Sequence, residues 1–556
     1  MNHFLLPPHR FASFSSEPNH TQIPETDNSI GLLCIASAFN LRCTLPLAFP
    51  DFQCSNPFVF DPKPHHCCSN RSHLLSKHFC LAFFLCDLRA LKDHVNAYGK
   101  QESPVRLTGY PSWKRSLPHV IVATLASFLF GYHLGVVNET LESISLDLAF
   151  SGSTLAEGLV VSTCLGGAFI GSLFSGWIAD GVGRRRALQL CALPMIIGAS
   201  MSATTKNLWG MLLGRLFVGT GMGLGPAVAA LYVSEVSPAY VRGTFGSFTQ
   251  ISSCLGLLGS LFMGLQAKGI VGWWRACFWV SIIPAALLAL LMEFSAESPH
   301  WLFKSGRTSQ AEAEFEKLLG EAHVKYAYAE LSKPDGGDDT EAVMLSDLLH
   351  GRHFKLIFIG STLFALQQLS GINTVFYFSS TVFKSFGVPS DRANICIGVA
   401  NFLGSIVAMI LMDKLGRRVL LLGSFSGMVV SMGLQVVGAS SFPSSTEAFY
   451  LSAGGMLLFV LTFSLGAGPV PSLLLSEIFP GQIRAKAMAF CMSVHWVINF
   501  FVGLLFLPLL EQIGAQILYT VFGAFCLISV IFVKRNVVET KGKSLQEIEM
   551  ALLPVE

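Results

Sequence analysis

Apolar stretches of about twenty residues repeat along most of the chain, with short polar segments between them. From His119 onward the pattern predicts twelve membrane spans, since a helix of about 20 apolar residues crosses a hydrocarbon core of about 30 Å. Backbone that faces lipid must satisfy its own hydrogen bonds, so each span is predicted to be helical. The first six predicted spans are 119–137, 155–179, 187–205, 208–232, 244–266 and 275–294, and the second six are 354–379, 393–412, 418–439, 448–473, 486–510 and 514–533.

The same pattern divides the chain into five parts and predicts an all-α membrane protein with two six-helix halves. The apolar positions of 311–319 have helical spacing, so short helices are expected between the halves. The predicted parts are an N-terminal extension (1–116), a first half (117–294), a linker on the cytosol-like side (295–352), a second half (353–535) and a tail (536–556).

Composition agrees with a membrane protein. Hydrophobic residues make up 52% of the chain and charged residues only 13%, whereas a soluble protein carries about 25% charged residues. The net charge of +2 gives no reason to expect a nucleic-acid partner. The fourteen Cys form no CxxC pair and show no ligand spacing, so neither a metal nor another cofactor is expected.

Two charged motifs occur once in each predicted half. Asp-x-x-Gly-Arg-Arg begins at Asp180 and again at Asp413, 233 residues later. Glu-x-x-Pro-x-x-x-Arg runs over 235–242 and again over 477–484, 242 residues later. Glu297, before the linker, and the tail residue Glu539 are also 242 residues apart. The repetition predicts two pseudo-symmetric halves.

The duplicated charges have two interpretations. In the first, the arginines only hold their loops on one side of the membrane. In the second, the acids and bases form ion pairs that lock the halves together and break when the halves move apart. Three duplicated sets favour the second interpretation. The predicted gating residues are Asp180, Arg184, Arg185, Glu235, Arg242, Glu297, Asp413, Arg417, Arg418, Glu477 and Arg484.

Basic residues also predict the orientation of the chain. The segment 138–154, predicted as the loop after span 1, contains acids but no Lys or Arg, whereas the loops after spans 2 and 8 contain the duplicated arginines. Basic loops stay on the cytosol-like side. We call that side the basic face and the other side the acidic face.

Taken together, these motifs resemble those of the sugar porters of the major facilitator superfamily over 117–550. Arg215 in Gly-Arg-Leu, which joins the gating set, and the sequence Gln-Gln-Leu-Ser-Gly-Ile-Asn over 367–373 add to the resemblance. Segments 111–118 and 130–138 further resemble plant plastidic glucose transporters. The resemblance implies a monomeric hexose carrier, with glucose as the expected sugar. The resemblance further implies that such a carrier works by alternating access and is not an enzyme.

The resemblance also implies a sugar site between the halves at mid-membrane. Predicted span 7 contains Gln367, Gln368 and Asn373, whose amides offer donors and acceptors for sugar hydroxyls. Gly371 is expected to interrupt the helix and bring these amides together. The alternative is that the amides only join helices. By the resemblance, the other sugar-binding residues are Gln250, Asn401, Trp496 and Asn499.

Two positions depart from the family pattern. His133 occupies the position where proton-coupled relatives have Asp, which favours facilitated diffusion. His titrates near neutral pH, so His133 is a coupling candidate and proton symport is the alternative. Ser472 replaces a Trp found in many sugar porters. A non-transporting sugar sensor is a further alternative, although such sensors usually have a longer tail.

The resemblance implies a multi-pass protein of the plastid envelope. Residues 1–116 contain acids throughout, which is not typical of a transit peptide. A Golgi or other endomembrane location is therefore the alternative, and these residues are either disordered or a targeting segment.

Overall fold

A computed structural model describes residues 111–267, 272–331, 353–385, 390–440, 446–479, 483–541 and 543. The predictions for residues 1–110, for 332–352 of the linker and for most of the tail lie outside these described residues. Every regular element within them is a helix.

Six long helices form the first half, and three short helices follow them. The predicted spans agree with the long helices to within a few residues, apart from the two ends of the first. The long helices are α1 (Trp113–Asp147), α2 (Thr154–Val182), α3 (Arg184–Thr204), α4 (Leu208–Val236), α5 (Arg242–Ala267) and α6 (Trp273–Glu293). The short helices are α7 (Pro299–Lys304), α8 (Thr308–Leu319) and α9 (Glu321–Leu331).

The second half contains two broken spans. Predicted span 7 consists of two helices, as does predicted span 10, and the last two predicted spans form one helix that Gly514 interrupts at φ +79°. The elements are α10 (Phe354–Leu369), α11 (Ile372–Ser385), α12 (Ser390–Leu415), α13 (Arg417–Ser440), α14 (Thr446–Leu465), α15 (Val470–Ile478) and α16 (Arg484–Asn536).

The described residues therefore contain eleven stretches that are long and apolar enough to cross a membrane. The sequence pattern predicts twelve. The difference lies in α16, whose 53 residues are counted as one stretch although Gly514 divides them. The all-α fold is confirmed, and its helix count is consistent with twelve spans.

The structure corrects the start of the predicted loop 138–154. Residues 138–147 continue α1, and the loop begins only after Asp147. Leu141 and Ile144 continue the helical spacing of buried apolar residues, and both are buried. The polar residues Asn138 and Glu139, read as loop residues from the sequence, are therefore buried within a helix.

Contacts between the halves lie at the middle of the helices and toward the acidic face. Thr154 at the start of α2 donates a hydrogen bond to Glu511 in α16 (3.1 Å). In the middle, Cys254 of α5 lies 3.3 Å from the hydroxyl of Ser405 in α12. Toward the basic face, the ion pairs described below join residues of a single half. The structure thus has its halves in contact at the acidic face.

Candidate functional site

On the basic face, the buried Arg184 lies at the centre of an ion-pair cluster in the first half. Its Nε and Nη2 donate to the two carboxylate oxygens of Glu235 at 2.9 and 3.1 Å, which is the bidentate geometry that Arg favours. Its Nη1 donates to Asp180 at 2.9 Å and to the carbonyl of Ala179 at 3.1 Å. This one guanidinium joins the ends of α2, α3 and α4.

The second half repeats this arrangement. Arg417 donates through Nε and Nη2 to Oε1 of Glu477 at 3.2 and 2.8 Å, and through Nη1 to the carbonyl of Met412 at 3.3 Å. Thr540 of the tail donates to the other oxygen of Glu477 at 2.6 Å. The duplicated sequence motifs therefore form duplicated contacts.

Carboxylates cap the helices that follow the basic motif. Glu297 Oε1 accepts hydrogen bonds from the first two backbone N–H groups of α3, each at 3.1 Å. Glu539 accepts hydrogen bonds from the first two N–H groups of α13 at 2.8 and 3.0 Å. The first turn of a helix has no internal acceptor for these groups and attracts anions. The third duplicated acid is thus a helix cap in each half.

The two capping carboxylates differ in their acidity. Burial raises the pKa of Glu297 above its ordinary value, although backbone N–H groups oppose the rise. Burial acts to raise the pKa of Glu539 as well, but hydrogen bonds from four backbone N–H groups together lower it below its ordinary value. The tail carboxylate is therefore the more acidic of the two caps.

Several predicted gating residues stand apart from these clusters. Arg185 contacts Glu293 within the first half (3.5 Å), and Arg418 donates to the carbonyl of Lys534 (2.7 Å). Arg242 is exposed. Arg215 is buried within α4, where its Nε donates to the carbonyl of Val160 at 3.2 Å. The side chains of Asp413 and Arg484 lie outside the described part of the chain. A lock across the two halves stays a prediction.

We expect Gly183→Ala to destabilise the first half by about 1–3 kcal/mol, because Gly183 has φ +94° and a Cβ would lie 2.6 Å from Glu297 Oε2. A side chain here would strain the backbone and displace the capping carboxylate. Gly181→Ala is the control, since no neighbouring atom lies within 4 Å of its Cβ position. The measurement is thermal unfolding in detergent, and equal melting of the two variants would contradict this explanation.

A second cluster, of amides, lies at the break between α10 and α11. Gln368 Nε2 donates to Oε1 of Gln367 at 3.3 Å and to Nδ1 of His495 in α16 at 3.0 Å. Asn373 Nδ2 donates to Gln368 Oε1. Gln368 therefore links α10, α11 and α16, and we call these four residues the amide cluster.

Two helix breaks produce the amide cluster. Gly371 has φ +82° between the two helices, so the predicted interruption is present and Asn373 folds back toward Gln368. Gln367 Nε2 donates to the carbonyl of Ala467 at 2.6 Å, in the break between α14 and α15. That carbonyl lies in a break and has no helical donor, so a side-chain amide satisfies it.

Aromatic rings lie beside the amide cluster. Trp496 is buried, and its ring meets the rings of His495 and Phe130 edge-on, with centroids 5.0 and 6.1 Å apart. Phe130 belongs to the first half, so this contact crosses between the halves. One helical turn away, Asn499 donates to the hydroxyl of Tyr377 at 3.4 Å.

The remaining predicted sugar-binding residues form a separate group around Cys254. Gln250 and Asn401 donate to its sulfur at 3.8 and 3.4 Å. Ser464 of α14 donates to the side-chain oxygen of Asn401 at 2.7 Å. This group joins α5 of the first half to α12 and α14 of the second.

The two positions that depart from the family pattern differ in their surroundings. Both ring nitrogens of His133 are buried without a hydrogen-bond partner among the described residues. Ser472 lies in α15 with its side chain exposed, and it donates to the carbonyl of Pro469 at 3.3 Å. A buried imidazole without a partner is costly to charge.

Sequence reasoning missed His495, Tyr377 and Cys254 as members of these groups. All three lie within predicted spans. In a span, a polar or aromatic side chain at helical spacing from a predicted site residue is the sequence feature that could have indicated them. His495 precedes Trp496, and Cys254 lies one helical turn after Gln250. This spacing predicts which face of the helix each residue lies on, whereas its contacts depend on how the helices pack.

Two pseudo-symmetric helical halves with buried polar groups between them define a membrane carrier of the major facilitator fold. The sequence family described as "Sugar (and other) transporter" matches residues 119–552. The chain belongs to this family of transporters, whose members are not enzymes.

Relatives and solved structures agree with this assignment. The chain is 69% identical over 469 residues to the probable plastidic glucose transporter 3 of Arabidopsis thaliana, covering 83% of this chain and 95% of the relative. It is 42% identical to the plastidic glucose transporter 4 of the same plant, covering 85% and 87%. The inward-open xylose transporter XylE from E. coli superposes with a TM-score of 0.68 at 28% identity, covering 79% of this chain and 100% of XylE.

Proposed function

We propose that this protein carries a hexose, glucose in the first instance, across the plastid envelope by alternating access. The amide cluster and the group around Cys254 bind sugar hydroxyls, and Trp496 gives apolar contact to the sugar ring. One chain contains both halves of the site, so the monomer is the working unit in the bilayer.

The observation that carries the proposal is the amide cluster itself. It brings together the three amides of the broken span α10–α11, and beside them Trp496 contacts Phe130 of the first half. In carriers built from repeats, substrate sites lie at such interrupted helices. The relatives named plastidic glucose transporters, and a XylE structure with bound 6-bromo-6-deoxy-D-glucose, support a hexose as the substrate.

Alternating access is supported by the positions of the contacts. The halves meet toward the acidic face, while the described ion pairs of the basic face stay within each half. The chain also superposes on XylE in an inward-open and in a partially occluded conformation, with TM-scores of 0.68 and 0.67. Movement of the halves about the central site would then expose the sugar to each side in turn.

The test is uptake of labelled glucose by proteoliposomes that contain the full chain. We expect saturable uptake that unlabelled glucose competes for. Absence of uptake of any hexose would reject the carrier and leave a sugar sensor as the alternative. A fluorescent fusion with and without residues 1–110 tests the plastid against an endomembrane location.

We expect a pH gradient to leave the accumulated glucose at its equilibrium level. The reason is that the buried His133 offers no carboxylate to carry a proton through the cycle. The measurement is labelled glucose inside proteoliposomes with and without an imposed gradient, with a proton-coupled xylose symporter and its own sugar as the positive control. Accumulation above equilibrium would instead support symport.

A further inference from the structure

A polar network closes the acidic face between the two halves. Asn138 Nδ2 of α1 donates to the hydroxyl of Ser379 in α11 at 2.7 Å, and its Oδ1 accepts from the backbone N–H of Ser380 at 3.0 Å. Asn394 of α12 donates to Glu139 of α1 and to the hydroxyl of Ser380, both at 2.6 Å. We call these five residues the acidic-face network.

The network lies far from the duplicated motifs. Arg115 at the start of α1 donates to the carbonyl of Glu316 in the linker helix α8. Glu139 follows 24 residues later in the same helix, which corresponds to about 36 Å at 1.5 Å per residue. The network therefore joins the halves at the end of the molecule opposite the Arg184 cluster.

Its hydrogen-bond directions are interdependent. Ser379 donates to Oδ1 of Asn394 at 2.7 Å, so the amide nitrogen of Asn394 must point toward Glu139. The reverse orientation would place the amide oxygen against the carboxylate. The charge of Glu139 thus selects one orientation of Asn394, and that orientation fits the hydroxyls of both serines.

All five side chains are at least nine-tenths buried. Hydrogen bonds to a charged group in such surroundings are stronger than those between neutral groups. Separating α1 from α11 and α12 would break three bonds at once. By contrast, the nearby ion pair of Asp147 with Arg275 (2.8 Å) lies within the first half and would survive this separation.

We infer that Glu139 is a positioning residue that holds Asn394 across the acidic face and so sets how often that face opens. The inference rests on the alternating access proposed above. Each opening requires the carboxylate to exchange the amide for water, and each closure requires the network to form again. Glu139 therefore controls the balance between the two open states without touching the sugar.

The test is hydrogen–deuterium exchange of the full chain in lipid nanodiscs, which needs no transport. We expect Glu139→Gln and Asn394→Asp each to speed exchange in α11 by about tenfold, because a charge-assisted bond is lost or two carboxylates are opposed. We also expect exchange near residues 176–186 on the basic face to slow, since that face closes when the other opens.

The double variant Glu139→Gln, Asn394→Asp swaps the positions of the amide and the carboxylate. It should return the hydrogen–deuterium exchange of both faces toward that of the wild type. Asp147→Asn is the matched control and should leave both faces unchanged. Faster exchange at the acidic face alone, no change, failure of the double variant to restore the pattern, or an equal shift in Asp147→Asn would each overturn the inference. Because exchange is measured without sugar, failure of glucose uptake does not decide this test.

Discussion

Replacing Arg184 with alanine is expected to destabilise the first half by about 3–5 kcal/mol, because the change leaves a buried carboxylate without its partner. The side chains of Arg184 and Glu235 are only 7% and 11% exposed. Alanine removes both bonds to Glu235, as well as those to Asp180 and to the carbonyl of Ala179. Thermal unfolding in detergent measures the loss, and the yield of folded protein should fall with it.

Two variants make this result specific. Arg186→Ala removes an exposed arginine two residues away in the same helix and should change stability by less than about 0.5 kcal/mol. Arg417→Ala should have an intermediate effect, since Arg417 and Glu477 are 14% and 25% exposed and water can partly replace the lost bond. If Arg184→Ala unfolded at the same temperature as Arg186→Ala, the cluster would have no stabilising role.

The duplicated motif predicted some contacts of the two halves but not others. Repetition predicted matching clusters, and the contacts of Arg184 and Arg417 match closely. The sequence did not reveal that Glu297 and Glu539 cap helices rather than pair with arginine side chains. That role depends on the positive φ of Gly183 and Gly416, which directs two backbone N–H groups toward each carboxylate.

The helices were predictable because apolar periodicity is a local property of the chain. The break at Gly371 was predictable too, since glycine follows a run of polar residues there. The acidic-face network was not predictable. Glu139 and Asn394 are 255 residues apart and belong to no repeat, so only the packing of α1 against α12 brings them together. A charged residue within a membrane span would have indicated a functional site. Glu139 was predicted to lie in a loop, so this indication was lost.

The same limit applies to the amide cluster, where the sequence indicated the residues but gave no order of importance. Gln367 donates mainly to a backbone carbonyl, so its role includes joining α10 to the α14–α15 break. Gln368 bonds only to other side chains of the cluster among the described residues. An amide held by side chains can exchange those bonds for sugar hydroxyls without leaving a backbone carbonyl unpaired.

We therefore expect Gln368→Ala to lower the transport efficiency for glucose by about 10- to 100-fold, since one or two hydrogen bonds in a buried site are lost. The measurement is the initial rate of labelled glucose uptake by proteoliposomes at several concentrations. Gln435→Ala is the matched control, because Gln435 is a buried amide in α13 of the same half and belongs to neither candidate sugar-binding group. Both variants create a similar void, but Gln368→Ala also leaves the partners of three hydrogen bonds unpaired, so its unfolding temperature should fall further. Uptake per folded protein should fall only in Gln368→Ala. Equal uptake by the two variants would remove Gln368 from the sugar site and leave the amide cluster as a joint between helices.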